Sequence, residues 1–295
     1  VNGGYIKGGA NYRANDNSNF FFNVGQIMRP PSFDGVFPNA DYDFEEADEI
    51  LNESFTSFEL GYGFRSSNFK GTINAYHTVW GDRTLRRSTS IDDQGVRIIY
   101  SGVEQTHQGI EGEMTWYPSS RLRVKGMFSL GDWKYTKNFQ GDAYFIDNNQ
   151  PAGTTGTLYL DGVKIGDAAQ TVLYLGFDYK VSSKLSVDLD MMSYDNLHGR
   201  FGPLDSEFNS ANNRGSIKLP SWGTADLGAT YSFNLLGYDA RARLNVNNLF
   251  DEEYLSQSQT NFHNDGGRTW NGINVENNVY FGKGTTWNLG LNINF

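Results

Sequence analysis

The sequence predicts an all-β protein, an antiparallel transmembrane β-barrel wall of about eleven strands. Three observations predict it. Long segments alternate strictly between apolar and polar residues. Aromatics reach 15% and glycines number 34, while hydrophobic residues make up only 38% of the 295 residues. Connections alternate between short turns and long polar loops. Side chains in a strand point to opposite faces, so alternation marks strands with one apolar face. Aromatics and glycine with modest hydrophobicity suit many strands joined by turns.

The elements follow in order. Ile6, Gly8, Ala10 and Tyr12 alternate with Lys7, Gly9 and Asn11, and the turn Ala14–Asn17 leads into Phe20, Phe22 and Val24. A polar stretch runs from about Arg29 to Ser54 before Phe58, Leu60, Tyr62 and Phe64. Ser66–Asn68 turns into Phe69, Gly71, Ile73 and Ala75. Ile110, Gly112, Met114 and Trp116 then meet Leu122, Val124, Gly126 and Phe128 across the turn at Pro118. A long insertion covers about Lys137 to Asp167. Leu173, Leu175, Phe177 and Tyr179 pair across Ser182-Ser183 with Leu185, Val187, Leu189 and Met191. A loop rich in Asn and Gly precedes Ala225, Leu227, Ala229, Tyr231 and Phe233, and Ala240, Ala242, Leu244 and Val246 follow. After a last loop from about Glu253 to Lys283, Trp287, Leu289, Leu291, Ile293 and Phe295 close the chain on one face.

Most of these strands reach about nine residues or more, longer than the globular norm. Long loops on one side and short turns on the other are the architecture of outer-membrane barrels. The polar face carries full charges: Glu111, Glu113, Arg121, Arg123, Lys125, Asp188, Asp190, Arg241 and Arg243. A register placing Glu113 opposite Lys125 would pair opposite charges. The competing reading is a soluble sandwich whose polar face meets water. Isolated Gly and Ala on the apolar face would build a thin soluble core, which favours lipid as the partner of that face.

Composition excludes further classes. A formal net charge of −10 makes nucleic acid an unsuitable partner. Without cysteine there is no disulfide framework, zinc-thiolate site or thiol nucleophile. No apolar run approaches the roughly 20 residues of a membrane helix. The chain opens at Val1 without a signal-like segment. Bacterial single-chain barrels have even strand numbers, and about eleven is half of the 22 strands of large plugged transporters. The expectation is therefore the C-terminal half of such a barrel, one domain spanning 1–295, with Trp287 to Phe295 as its assembly signal.

Local motifs carry a resemblance. Asn247-Asn248-Leu249-Phe250-Asp251-Glu252-Glu253-Tyr254 resembles the penultimate-strand motif of TonB-dependent receptors. His107-Gln108-Gly109-Ile110-Glu111-Gly112-Glu113 is similar to their barrel segment with a hydrophobic-E-x-E pattern, and Arg29-Pro30-Pro31 to an R-x-P strand ending. Leu291 to Phe295 matches their terminal aromatic signal. The resemblance covers essentially the whole chain. It implies a plugged outer-membrane receptor that imports a scarce ligand: siderophore-bound iron, a vitamin or an oligosaccharide. It also implies several partners: outer-membrane lipid, the receptor's own N-terminal plug and remaining barrel half, and the inner-membrane TonB complex reached through that missing part. A surface lipoprotein is a further candidate. Nothing in the sequence matches the plug or the TonB-contacting segment.

Enzymatic motifs such as G-x-S-x-G, a P-loop or H-E-x-x-H are absent. The four histidines (His77, His107, His198 and His263) are scattered, so neither a metal centre nor a cofactor is expected. The acidic run Asp41, Asp43, Glu45, Glu46, Asp48 and Glu49 has the oxygen donors calcium prefers but not the glycine-centred spacing of an EF-hand, and reads as a solvated loop. Ligand capture is expected from outer-loop aromatics: Tyr42, Phe44, Trp80, Tyr144, Phe145, Phe201, Trp270, Tyr280 and Phe281. Arg200 and Arg268 could grip an anion. Each aromatic could instead pack loops together or form an interfacial girdle, for which Trp116, Tyr117 and Trp287 are the candidates by position. A passive porin and a soluble β-sandwich adhesion module are the alternative functions.

Overall fold

The computed structural model describes residues 2–31, 33–37, 50–91, 93–154, 157–202 and 205–294. Its wall begins with β1 (Gly4–Arg13), β2 (Ser18–Arg29), β3 (Glu53–Arg65), β4 (Phe69–Ile91), β5 (Gln94–Ser119) and β6 (Leu122–Tyr135). Two short strands follow, β7 (Gly141–Phe145) and β8 (Pro151–Thr154). The wall resumes with β9 (Thr171–Lys180), β10 (Leu185–Asp195), β11 (Trp222–Leu235) and β12 (Tyr238–Asn247). The last loop holds β13 (Leu255–Ser258), β14 (Thr269–Trp270), β15 (Ile273–Asn274) and β16 (Val279–Phe281), and β17 (Thr286–Asn294) completes the wall. A helical turn at Phe33–Val36 and a 3-10 turn at Ser206–Asn209 are the helical pieces among the described residues. Among the described residues no helix is long and apolar enough to cross a membrane, which says nothing of strands.

The eleven wall strands form one antiparallel sheet in the order β1-β2-β3-β4-β5-β6-β9-β10-β11-β12-β17, as expected from the sequence. The sheet is open, with β1 and β17 at its edges. Registry carries each face across the wall. Tyr12, Phe20, Tyr62, Ile73, Gly112, Phe128 and Leu173 lie opposite one another in sequence. The same apolar face continues as Phe177, Leu189, Leu227, Val246 and Trp287. One residue away, on the other face, runs Arg123, Asp178, Asp188, Gly228, Asn245 and Asn288. The polar face is concave: side chains from β1, β4, β5, β6 and β9, among them Arg13, Lys70, Glu113, Lys125 and Tyr174, line one cavity of about 670 Å³ near the short turns.

Turn chemistry sets the short side. Leu236 and Gly237 both adopt positive φ, 54° and 94°, a two-residue turn whose twist matches the flanking strands. The Ser182 hydroxyl accepts from the amides of Lys184 and Leu185 at 3.2 and 3.0 Å. At the β5–β6 turn, Ser119 pairs with Leu122 after a register shift, so Ser120 and Arg121 form the turn. Two expectations change as a result. Arg121 sits in the turn rather than within a strand, and Glu113 lies opposite Met127, not Lys125.

The long side departs most from the sequence reading. β4 and β5 run to 23 and 26 residues, far beyond a membrane's thickness. Their register breaks between Trp80 and Leu85, where Asp82 has φ 58° and Gly102 φ 71°. Past this kink β5 also pairs with β7, and β7 with β8. The projecting hairpin, the 157–163 segment and the 3-10 turn enclose a dry cluster of Val96, Ile98, Tyr100, Phe139, Leu158, Leu160 and Phe208. A second cluster joins Leu197, Ile217 and Leu219 to Leu255 and Ile273 of the last loop. A single-layer wall has no interior, so its apolar core lies mainly in these loops.

Candidate functional site

The polar face offers two tiers. Nearer the short turns stands a ladder of charges. Arg123 meets Asp178 at 2.9 Å, Lys125 lies 3.4 Å from Asp178 and 3.3 Å from Asp190, and Arg243 binds Asp188. Tyr174 donates to Asp190, and Ser129 to Glu111 at 3.0 Å. Arg241 is placed opposite Ser232 and Asn292. Many of these side chains lie flat over glycines: a Cβ on Gly228 would fall 2.2 Å from Arg243, and one on Gly176 2.2 Å from Tyr174. Glycine on the polar face therefore makes room for large side chains folded along the wall.

Toward the long loops the same face becomes aromatic. Phe55 on β3 and Trp80 on β4 are registry partners and stack with centroids 4.9 Å apart. Glu53, only 6% exposed, accepts from Trp80 Nε1 at 3.0 Å and from Arg29 at 2.7 Å. Arg83 lays its guanidinium 3.8 Å from the Trp80 ring centroid. Arg29 is thus neutralised by a carboxylate, whereas Arg83 has no ion-pair partner among the described residues. Farther round, Trp133 Nε1 donates to Tyr76 Oη at 2.9 Å and its ring lies 5.5 Å from His107. Tyr194, Trp222 and Tyr254 form a triple stack with spacings of 4.9 and 5.1 Å. Aromatic faces with an adjacent cation bind planar and anionic groups.

Of the aromatics expected to capture ligand, Trp80 falls within this tier. Tyr144 and Phe145 lie on β7, where Phe145 packs against the first loop cluster. Phe201 packs against Phe208 with tilted rings 4.2 Å apart and belongs to the same packing. Trp270 packs against the second cluster and meets Phe281 edge-on at 5.1 Å. Tyr280 and Phe281 are exposed. Arg200 pairs with Asp167 at 3.2 Å, and Arg268 is exposed in the last loop. Tyr42, Phe44 and the acidic run 41–49 lie outside the described residues, as does Phe295. Trp287, Leu289 and Leu291 stand 72, 66 and 59% exposed on the edge strand.

The sequence reading did not place Arg29, Phe55, Tyr76, Arg83, His107, Trp133, Tyr194, Trp222 or Tyr254 among the ligand-site residues, although Arg29, His107 and Tyr254 stand in its motifs. A signal existed for most of them. Phe55, Tyr76, Trp133, Tyr194 and Trp222 are aromatic residues on the polar phase of their strands, out of step with the apolar stripe.

Loop residues tie the cap together. Arg214 bridges Glu207 at 2.7 Å and Asp265 at 2.6 Å, linking the β10–β11 and β12–β17 loops. Hydrogen bonding from Arg214 holds the Glu207 carboxyl down at about 2, and the two carboxylates raise the guanidinium's own value. Burial lowers the pKa of His198, whose Nδ1 lies 3.2 Å from the Asn196 carbonyl. Asn261 accepts from Ile217 N at 2.7 Å, a second link between the same loops.

The sequence profile described as TonB dependent receptor-like, beta-barrel matches residues 5–249. The chain belongs to the TonB-dependent receptor β-barrel family. Its fold is shared with the ferric-catecholate import receptor Fiu of E. coli: TM-score 0.62, 15% identity, 98% of this chain and 34% of that one. The siderophore receptor PiuA of Acinetobacter baumannii gives 0.65 and 14%, covering 97% and 35%. The copper transporter OprC gives 0.62 and 14%, covering 99% and 39%. The chain therefore spans a little over a third of each of these structures. No curated protein sequence matches it.

Proposed function

We propose that this chain forms wall and outer loops of a bacterial outer-membrane receptor that imports a scarce ligand, with the TonB system driving release through parts beyond this chain. The charge ladder Arg123, Lys125, Asp178, Asp188, Asp190 and Arg243 then faces a plug, and the apolar face meets lipid. This is a receptor's arrangement, with no catalytic role assigned to its residues. Small-molecule binding is assigned to the aromatic tier, with Tyr280, Phe281 and Arg268 as contacts in the last loop.

The observation that carries the reading is Arg83 resting on Trp80 beside Phe55, a cation on an aromatic platform whose neighbouring carboxylate, Glu53, is already engaged by Arg29 and Trp80. Such a pair suits a planar anionic ligand more than a neutral sugar. Among siderophore–iron, vitamin and oligosaccharide, an anionic ferric chelate fits it best. The test uses the full-length receptor in detergent with ferric catecholate complexes, cobalamin and oligosaccharides as probes. The ferric catecholates should bind, and Trp80→Ala or Arg83→Ala should weaken them about tenfold or more while the barrel still folds. Unchanged binding in both variants would remove this tier from the site. Large steady pores of the full-length protein in planar bilayers would favour a porin instead.

A further inference from the structure

Two like charges stand directly opposite each other on the polar face, at the short-turn end of the wall. Arg65 ends β3, Lys70 is the second residue of β4, and the two are register partners. Like charges directly opposite on antiparallel strands repel and destabilise the pairing. Arg13, the last residue of β1, lines the same cavity as this pair. None of the three makes an ion pair among the described residues, whereas Arg123, Lys125 and Arg243 of the neighbouring ladder are each held by an aspartate. The backbone fixes the arrangement: Asn17 Nδ2 donates to Arg65 O at 2.6 Å, and Arg65 N donates to Asn17 O at 2.8 Å. That clasp keeps the β1–β2 turn, and Arg13 before it, beside Arg65. Two carboxylates also line the cavity, Asp16 in the β1–β2 turn and Glu113 on β5 opposite Thr72, and neither makes an ion pair with the three cations. With Lys125 assigned to its aspartates, three cations against two carboxylates leave an excess positive charge. A local choice that breaks the pairing rule without a gain to the wall marks a functional position.

We propose that Arg13, Arg65 and Lys70 form a second anion station on the lumen wall, which takes the oxyanions of the anionic chelate after it leaves the aromatic tier. The inference rests on the reading above, which supplies the anionic class of the ligand and places the short turns at the periplasmic mouth. The cavity, about 670 Å³, lies within the usual range of small-molecule sites. Guanidiniums present paired donors to planar oxyanions, and the ammonium beside them adds a compact charge. A bound anion also relieves the repulsion between Arg65 and Lys70, a gain that the ion-paired ladder farther round the wall does not offer.

The test is native mass spectrometry of the full-length receptor titrated with a ferric tris-catecholate complex. Wild type should bind two chelates, a tighter and a weaker one, and Trp80→Ala should weaken the tighter. The double variant Arg65→Gln/Lys70→Gln should bind the weaker one about tenfold less well. Its ligand-free form should also unfold at higher denaturant than wild type, because the repulsion is gone. A double variant less stable than wild type would make the pair structural and overturn the proposal. So would unchanged affinity for the weaker chelate, or a wild type that binds only the chelate sensitive to Trp80→Ala. Steady pores from the double variant in planar bilayers, with both chelates retained, would mark the three cations as a docking surface for the plug and overturn it as well. Wild type that binds no ferric catecholate would overturn the ligand reading together with this one, whereas absence of the weaker chelate alone would overturn only this one.

Discussion

The side-chain amide of Asn248 donates to the carbonyl oxygen of Lys283 at 3.0 Å, closing the base of a loop more than thirty residues long in sequence. The same nitrogen donates to Glu252 O at 2.9 Å, while Asn248 Oδ1 accepts from Glu252 N at 2.9 Å. Its backbone sits at φ 48°, a region asparagine tolerates better than most residues. The Asn-Asn-Leu-Phe motif thus has a structural cause: one buried amide satisfies backbone groups at both ends of the loop.

Asn248→Gly should therefore keep the backbone and lose the latch. Three backbone groups, Glu252 N, Glu252 O and Lys283 O, lose their side-chain partner, at a cost of about 1–3 kcal/mol to the loop. Limited proteolysis should cut the 253–283 loop in that variant under conditions where wild type is resistant. Asn248→Asp should behave similarly, because a carboxylate cannot donate to Glu252 O or Lys283 O. Wild-type resistance in both variants would show that the loop is held elsewhere.

Gly61 and Phe21 make a second test. A Cβ on Gly61 would lie 2.1 Å from Phe21 Cζ, because the ring lies flat across β3 on the polar face. Gly61→Val should push Phe21 off the wall at about 1–3 kcal/mol, the usual cost of overpacking. Folding yield into lipid vesicles should fall in this variant and recover in Gly61→Val/Phe21→Ala. An unrecovered yield would mean that the backbone, not the ring, requires glycine there.

The wall was legible because each strand repeats one period, and a period of two survives without knowing any partner strand. Leu289, Leu291 and Ile293 announce their face in the sequence. Register was less legible: Glu113 and Lys125 invite pairing across the Pro118 turn, but the shift near Ser119 moves Lys125 toward Asp178 and Asp190. The loops were least legible. Val96, Ile98 and Tyr100 bury against Phe139, Leu158 and Phe208 from three distant stretches, a non-local association without a short-range period. The aromatic tier fell between these cases. Phe55 and Trp80 lie on the polar phase of the wall, but their stacking depends on which strands are neighbours.

The Glu207–Arg214–Asp265 bridge predicts a pH response of the cap. The Glu207 carboxyl is depressed from 4.5 to about 2 in the folded cap, so the unfolded loop binds the proton more readily. The stabilisation it contributes is present above pH 4.5 and is lost as pH falls from there toward 2. Protease nicking between the 3-10 turn and β11 should therefore rise below pH 4. Arg214→Ala should show similar nicking already at pH 7 and lose most of the acid response. A wild-type nicking rate flat from pH 7 to pH 3 would show that packing of Phe208 alone holds the segment.

Arg243 and Asp188 test the charge ladder. Arg243 Nη2 meets Asp188 Oδ2 at 2.8 Å, and Arg243 Nε donates to Asn245 at 2.7 Å. Asp188 also stands directly opposite Asp178 in the register, so its charge is tolerated through Arg243 as Asp178's is through Arg123. Arg243→Gln should leave Asp188 without its cation opposite Asp178 and cost about 1–3 kcal/mol. Asp188→Asn alone should cost less, because it removes the repulsion along with the attraction. The double variant Asp188→Asn/Arg243→Gln should be less destabilised than Arg243→Gln alone. Denaturant titration of the four proteins in lipid vesicles reads the coupling energy directly. Strictly additive losses would mean that the two charges act independently on the wall.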